Sequence, residues 1–301
     1  MIGPAFDAMA YRLIAGKRAR AAAAWPADQQ LLATAAGPLC ARDSGGTLPP
    51  LVIAVASPCV IAHYDALYDE LRRNFRVIVF DMPGFGFSVP RARDRHRLAD
   101  GSAVIAALLE ALDLRDVTLA CASINGLYAI AASERLADRL ARLVLVQTPD
   151  CRNMKAWFAR VTQRIMRTPG AGQYVNFISR RRFPPVWYRI AVADRTRHAA
   201  FTDPAREALE AGGCYCFASF VQGMGETRED DPLLRVPADL PVTVVWGARD
   251  RTHQRTDAAS VQNHCPQAEI IRFDAVGHYP DLEAPEAFAA LLRERAPTST
   301  S

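Results

Sequence analysis

The sequence predicts an α/β protein: a mostly parallel central sheet flanked by helices, interrupted by a helical cap-like insertion. Three observations carry that expectation. Short, near-continuous apolar runs alternate with segments of helical period along most of the 301 residues. The alternation stops between about residues 151 and 234. A hydrophobic fraction of 50%, with 23% charged residues and a net charge of +4, is enough for a deep core and excludes a disordered chain.

Taken in order, residues 1–30 are Ala-rich and read as an N-terminal helical extension. They mix Asp7 and several Arg with Ala and hold no compact apolar stretch before a cleavage site, so no secretory signal is expected. Leu51 to Val55 is an apolar run of the kind that forms a strand covered on both faces. Ser57 and Pro58 interrupt its continuation to Ala62. No apolar run reaches the roughly 18 residues a membrane span needs. Phe75 to Phe80, Val117 to Ala122, Leu143 to Val146 and Val242 to Trp246 repeat the buried-strand signature, and Ile270 to Phe273 reads as a strand near an edge. Val104, Leu108 and Leu112 mark one helical face, with Ile105 and Leu109 beside it. A last helix starts near Pro285 and runs through Phe288, Leu291 and Leu292. Residues 31–150 and 235–301 therefore form the core. The stretch 151–234 shows aromatics, arginines and turn pairs but no clear strand. Thr298 to Ser301 reads as a frayed end.

Seven cysteines, an odd number, are spread along the chain at Cys40, Cys59, Cys121, Cys151, Cys214, Cys216 and Cys265. That spacing suits reduced thiols, and hence a cytoplasmic protein, better than a disulfide framework. Cys214-x-Cys216 has no second Cys/His pair at zinc spacing and reads as packing, so no metal or cofactor is expected. Arg152 to Arg197 holds eleven Lys/Arg against one acid, Asp194, which leaves the rest of the chain net acidic. Such a bias suits either a solvated helical face or attraction of an anionic or carrier-bound small-molecule substrate. Nucleic acid is not expected, because no recognition motif is present and the remaining chain would repel phosphate.

The chemistry-bearing segment is Cys121-Ala122-Ser123-Ile124-Asn125-Gly126. A strand runs into a helix with Ser123 at the turn, which lifts the hydroxyl above the sheet and puts the next N–H at a helix N-terminus. Three further segments follow strands: Asp81-Met82-Pro83-Gly84-Phe85-Gly86-Phe87-Ser88, then Trp246-Gly247-Ala248-Arg249-Asp250, then Gly277-His278-Tyr279-Pro280-Asp281-Leu282-Glu283-Ala284-Pro285-Glu286. From Leu51 to Ala296 the chain resembles the α/β-hydrolase superfamily. The segments are similar to its G-x-S-x-G elbow, its D-x-P-G-x-G-x-S loop, its W-G-x-x-D acid loop and its G-H-x-P-x-x-E-x-P-E histidine loop. The elbow departs from the pattern, with Cys121 and Asn125 where glycines are usual.

The resemblance implies a cofactor-independent serine hydrolase with Ser123 as nucleophile, His278 as base and Asp250 as orienting acid. A hydroxyl needs a base near neutral pKa, and the imidazole needs a carboxylate to fix its tautomer. The reading expects Ser123 Oγ within reach of His278. Asp150, after the Leu143–Val146 strand, is an alternative acid, or else a helix cap. The oxyanion hole would use the N–H of Ile124 and of Ser57. Pro58 has no N–H, so a shift of one residue would remove the second donor. His63 and Tyr64 read either as pocket residues or as a helix start, and His253 as a loop histidine. The expected reaction is hydrolysis of a carboxylic ester or thioester, or of a carbon–carbon bond, through an acyl-enzyme. Alternatives are a lyase, an acyltransferase or a binding pseudoenzyme on the same fold.

Overall fold

In the computed structural model, which describes residues 2–295, the chain opens on two helices, α1 (Ile2–Leu13) and α2 (Ala15–Ala22). It continues through β1 (Gln29–Leu32), β2 (Leu39–Asp43), β3 (Pro50–Ala54), α3 (Asp65–Leu71), β4 (Arg76–Phe80), the two-residue β5 (Phe85–Gly86), α4 (Leu98–Ala111), β6 (Val117–Ala122), α5 (Ile124–Ser133) and β7 (Leu140–Val146). An insertion follows: α6 (Cys151–Val161), α7 (Ala171–Ser179), α8 (Phe183–Ala191), α9 (His198–Glu210), β8 (Cys214–Tyr215) and α10 (Phe217–Glu226). The sheet resumes with β9 (Val242–Gly247) and β10 (Glu269–Phe273), and the chain closes on α11 (Pro280–Glu283) and α12 (Pro285–Glu294). The end read as frayed, Thr298 to Ser301, lies outside the described residues.

The eight-stranded sheet has the order β1-β2-β4-β3-β6-β7-β9-β10, parallel from β4 to β10, with β1 and β2 antiparallel at one edge. The apolar runs form the strands for the reason they were read as strands. Val52, Val77, Ile78, Val79, Leu119, Leu143, Leu145, Val244 and Val245 are fully or almost fully buried between helical layers. Each fully buried aliphatic side chain of this kind is worth about 1.5–3 kcal/mol over its exposed state. β10 lies at the opposite edge, as expected.

Two expectations are corrected. The N-terminal extension ends at Ala22, and an antiparallel β1–β2 hairpin follows that the sequence reading did not anticipate. β1 is half-exposed along its length, so it carries no continuous apolar run to betray it. The insertion also holds one strand, β8, which pairs antiparallel with β5 through Phe85–Tyr215 and Gly86–Cys214. Two residues are too few to show a period. That pairing seats the insertion on the loop Asp81–Ser88. All seven cysteines are buried and unpaired.

The same loop hides a titratable group. Asp81 is fully buried, accepts from the Phe87 N–H at 2.9 Å, and burial pushes its carboxyl up to about 7. A folded pKa above the unfolded value means that the folded state keeps its proton longer. The charge penalty is therefore absent below about pH 4 and grows as pH rises toward 7. Asp81→Asn should gain about 2 kcal/mol relative to the parent between about pH 5 and pH 8, read by urea unfolding at both values.

Candidate active site

β6 is buried throughout and delivers Ser123 at φ 54°, ψ −127°, a left-handed backbone that an L side chain adopts only under constraint. The constraint is visible on both sides of the residue. Ser123 N–H donates to the Val146 carbonyl at 2.8 Å, and Thr148 Oγ1 donates to the Ser123 carbonyl at 2.9 Å. The close approach falls at Gly126, where an added Cβ would sit 2.2 Å from Thr148 Oγ1. Cys121 packs beneath the turn and is 1% exposed. Asn125 turns aside, and its Nδ2 donates to the Val55 carbonyl at 2.9 Å. The two departures from the usual elbow thus fit: one is a buried filler, and the other ties the elbow to the loop after β3.

Beyond the carboxyl end of β9, Asp250 Oδ2 meets His278 Nδ1 at 2.7 Å, with both side chains buried. Two motif glycines let the acid and histidine loops close on each other. A Cβ on Gly247 would lie 1.8 Å from the Gly277 carbonyl oxygen, and one on Gly277 would lie 2.2 Å from that of Ala191. Asp250 Oδ1 accepts from the Thr252 N–H and hydroxyl, each at 2.7 Å, and Oδ2 accepts from Gln147 Nε2 at 2.8 Å. Burial pushes this carboxyl up, but His278, His253 and Thr252 outweigh it and hold the pKa at about 2. Asp250 is therefore ionised at neutral pH. Gln147 is a residue that sequence reasoning missed. Its Oε1 accepts from the Gly247 N–H at 2.8 Å, so it braces the acid loop from the end of β7.

Asp150 lies elsewhere. It caps α6, accepting from the Asn153 N–H at 2.7 Å, and its other oxygen accepts from Asn263 Nδ2 at 2.8 Å. His63 and Tyr64 belong to a helical turn before α3, where His63 Nε2 contacts the Phe201 carbonyl at 2.8 Å.

The insertion holds the histidine. Trp157 from α6 stacks on the His278 ring at 5.5 Å, nearly parallel, and its Nε1 donates to Thr252 Oγ1 at 3.1 Å. Trp187 from α8 meets the same ring edge-on at 5.4 Å and donates to the Tyr279 hydroxyl at 2.7 Å. The His278 N–H itself donates to the Ala191 carbonyl at 2.8 Å. His253, expected as a loop residue, is buried, stacks on Trp157 at 4.6 Å, and has neither ring nitrogen bonded. Burial pushes its pKa down to about 3, with Asp250 pulling the other way. Asp250, His253 and His278 offer ligand atoms within 4.8 Å of one another, the one such group among the described residues. Two of those atoms already share the 2.7 Å hydrogen bond, which a zinc ion at about 2.0–2.2 Å from each would have to part.

Ser123, His278, Ile124, Asn125, Ser57 and Pro58 line one cavity of about 30 Å³. Its remaining wall is aromatic and aliphatic: Trp157, Phe158, Val161, Phe183, Trp187, Tyr215, Phe217 and Phe220, with Ala122 at the base. No lysine or arginine lines it. Arg181 and Arg182 are exposed, and Arg180 is half-buried over the Phe177 ring, so none of these arginines lines the cavity. Among the described residues no hydrogen bond joins Ser123 Oγ to His278. The two share the cavity wall, a looser meeting than expected and common before substrate binds. As the first residue of α5, Ile124 has an N–H without an intrahelical acceptor. Ser57 lies across from it, and its hydroxyl is buried without a partner.

Comparison with known proteins gives a consistent picture. The family model of the alpha/beta hydrolase family matches residues 59–291. Over 107 residues the chain is 33% identical to 2-hydroxy-6-oxo-2,4-heptadienoate hydrolase of Pseudomonas putida (strain F1), a match that takes in 35% of this chain and 39% of that one. The chain thus spans about two fifths of the length of that curated relative. Among solved structures, a thermophilic esterase from Thermogutta terrifontis, crystallised with malate, is similar at a TM-score of 0.66 and 25% identity, over 89% of this chain and 97% of the other. Epoxide hydrolase A from Mycobacterium thermoresistibile reaches a TM-score of 0.74 at 16% identity, over 88% and 97%. The enol-lactonase from Burkholderia xenovorans LB400 reaches 0.63 at 18%, over 87% and 97%. The last two are likenesses of fold.

Proposed function

This chain belongs to the alpha/beta hydrolase family, and from that premise we propose that it is a serine hydrolase cleaving esters of a neutral, apolar acyl group. The observation that carries the reading is the Asp250–His278 hydrogen bond opening onto the cavity that Ser123 lines. With Asp250 ionised, His278 Nδ1 carries the proton, and Nε2 is left free to accept one. Ser123 Oγ attacks the ester carbonyl as His278 Nε2 takes its proton. The negative oxygen is received by the Ile124 N–H and the Ser57 N–H. The imidazolium returns the proton to the departing alcohol, leaving an acyl-enzyme. A water then attacks the acyl carbon, giving its proton to His278, and the acid leaves as Ser123 is restored. The helices 151–234 act as a cap that supplies the acyl pocket.

The Pseudomonas putida relative supports a second reading, hydrolysis of a carbon–carbon bond in a hydroxy-oxo-dienoate. Such a substrate carries a carboxylate, and no lysine or arginine lines this cavity to receive it. The ester reading is therefore preferred. The epoxide hydrolase likeness does not extend to chemistry, because an Asp would be expected at position 123. A fluorophosphonate probe should label the protein once, at Ser123, by intact mass and peptide mapping. Neutral aryl esters should be turned over with a kcat/KM at least about tenfold above that for matched esters bearing an acyl carboxylate, since burying an unpaired charge is costly. The reverse order would favour the carbon–carbon reading. Absence of labelling would favour a binding role.

A further inference from the structure

α1 and α7 lie side by side and run in the same direction. Ile2 approaches Gly170 just before α7, Phe6 meets Tyr174 at 6.5 Å, and Tyr11 meets Phe177 at 5.4 Å. The inner side of α1 is fastened to the insertion. Asp7 accepts from Ser219 Oγ at 2.5 Å, the Tyr11 hydroxyl accepts from the Tyr215 N–H at 2.8 Å, and Arg18, just beyond α1, donates to the Gly212 carbonyl at 3.0 Å. The outer side is bare and apolar. Ile2, Met9, Leu13, Tyr174 and Ile178 are 56–81% exposed, and they repeat at helical spacing on both helices. Patches of this kind mark surfaces that meet something.

The charge around the patch says what it meets. Arg12 stands at the end of α1, and Arg180, Arg181 and Arg182 follow directly on α7. Arg12, Arg181 and Arg182 are exposed, while Arg180 is half-buried over the Phe177 ring, so three exposed arginines lie where the two helices end. Residues 2–13 and 171–182 contain one acid, Asp7, which is buried. At the other end of the pair, Glu226 is ion-paired with Arg95 at 2.8 Å. A second copy running parallel would set these arginines against their own copies, and one running antiparallel would meet them with the end where Glu226 is already paired with Arg95, so neither arrangement supplies a free counter-charge. An apolar stripe edged by arginines is instead complementary to a bilayer, with the apolar side chains at the acyl boundary and the guanidiniums among the headgroups. We propose that the α1–α7 face docks the protein peripherally on a membrane surface rich in anionic phospholipid.

This proposal does not rest on the hydrolase reading. The test is co-sedimentation of the full chain with phosphatidylcholine vesicles and with vesicles of phosphatidylcholine and phosphatidylglycerol in equal parts. The protein should pellet with the mixed vesicles at low salt, less so at high salt, and remain in solution with phosphatidylcholine alone. Arg181→Gln with Arg182→Gln should reduce partitioning about tenfold or more. Met9→Glu with Ile178→Glu should abolish it. Unchanged circular dichroism and unchanged turnover of a water-soluble ester would show that both variants fold. A parent protein that stays in solution with every vesicle overturns the proposal, as does vesicle binding that neither variant weakens. A parent dimer that Met9→Glu with Ile178→Glu converts to monomer would also overturn it, by assigning the face to a second copy.

Discussion

Ser123→Ala is expected to lower turnover of ester substrates by about 10⁶-fold, because removing the nucleophile costs as much as removing the whole relay. The loss should appear in kcat, with substrate binding kept, since the aromatic wall of the cavity is untouched. The fold should survive, because Ser123 is held at its positive φ by backbone groups: its N–H on Val146 and its carbonyl under Thr148. Stopped-flow measurement with a chromogenic ester would show no burst of alcohol. A variant that kept a burst, or kept more than about a hundredth of the parent kcat, would remove Ser123 from the reaction.

Asp250→Asn should cost about 10⁴ in kcat. Oδ2 of Asp250 accepts from both His278 Nδ1 and Gln147 Nε2, and Oδ1 accepts from Thr252. An amide in this place must present its NH₂ to one of these donors. Presented to His278, it forces the proton onto Nε2 and blocks the nitrogen that should receive the Ser123 proton. Asp150→Asn is the matched comparison. Its carboxylate caps α6 and binds Asn263, so the expected change is about 1 kcal/mol in stability and less than about tenfold in kcat. Steady-state kinetics with urea unfolding on both variants reads the difference. Greater damage at Asp150 would transfer the role of acid to it.

The strands that the chain buries on both faces were legible because such strands need unbroken apolar runs. β3, β4, β6, β7 and β9 carry them. β1 was not legible, because a half-exposed edge strand can be built from Gln29-Gln30-Leu31-Leu32, a run no different from a loop. β8 is held by its partner β5 more than by its own two residues. In the site, Ser123, Asp250 and His278 lie beyond the ends of parallel strands, and the resemblance of the motif segments to the superfamily's own segments suggested their order. Gln147 could have been suspected from its place directly after an apolar strand. Trp157, Trp187 and Ala191 could not, since they reach His278 from helices whose packing no local pattern encodes. Asn125 read as an intrusion into a turn that usually carries glycine. The tight spot lies one residue later, at Gly126, which leaves Asn125 free to fasten the loop that carries Ser57.

The hold of α6 and α8 on His278 works as an interlock. The cavity holds only about 30 Å³, so on the serine-hydrolase reading an ester would be admitted by a shift of the wall that α6 and α8 supply. Withdrawal of α8 takes the Ala191 carbonyl from the His278 N–H and Trp187 from the edge of its ring. Withdrawal of α6 takes Trp157 from the ring face and from Thr252, the residue that steadies Asp250. The contacts that close this wall are also the contacts that hold His278. On that reading, admission and proton transfer would alternate, as the strokes of an engine do, because the same contacts serve both.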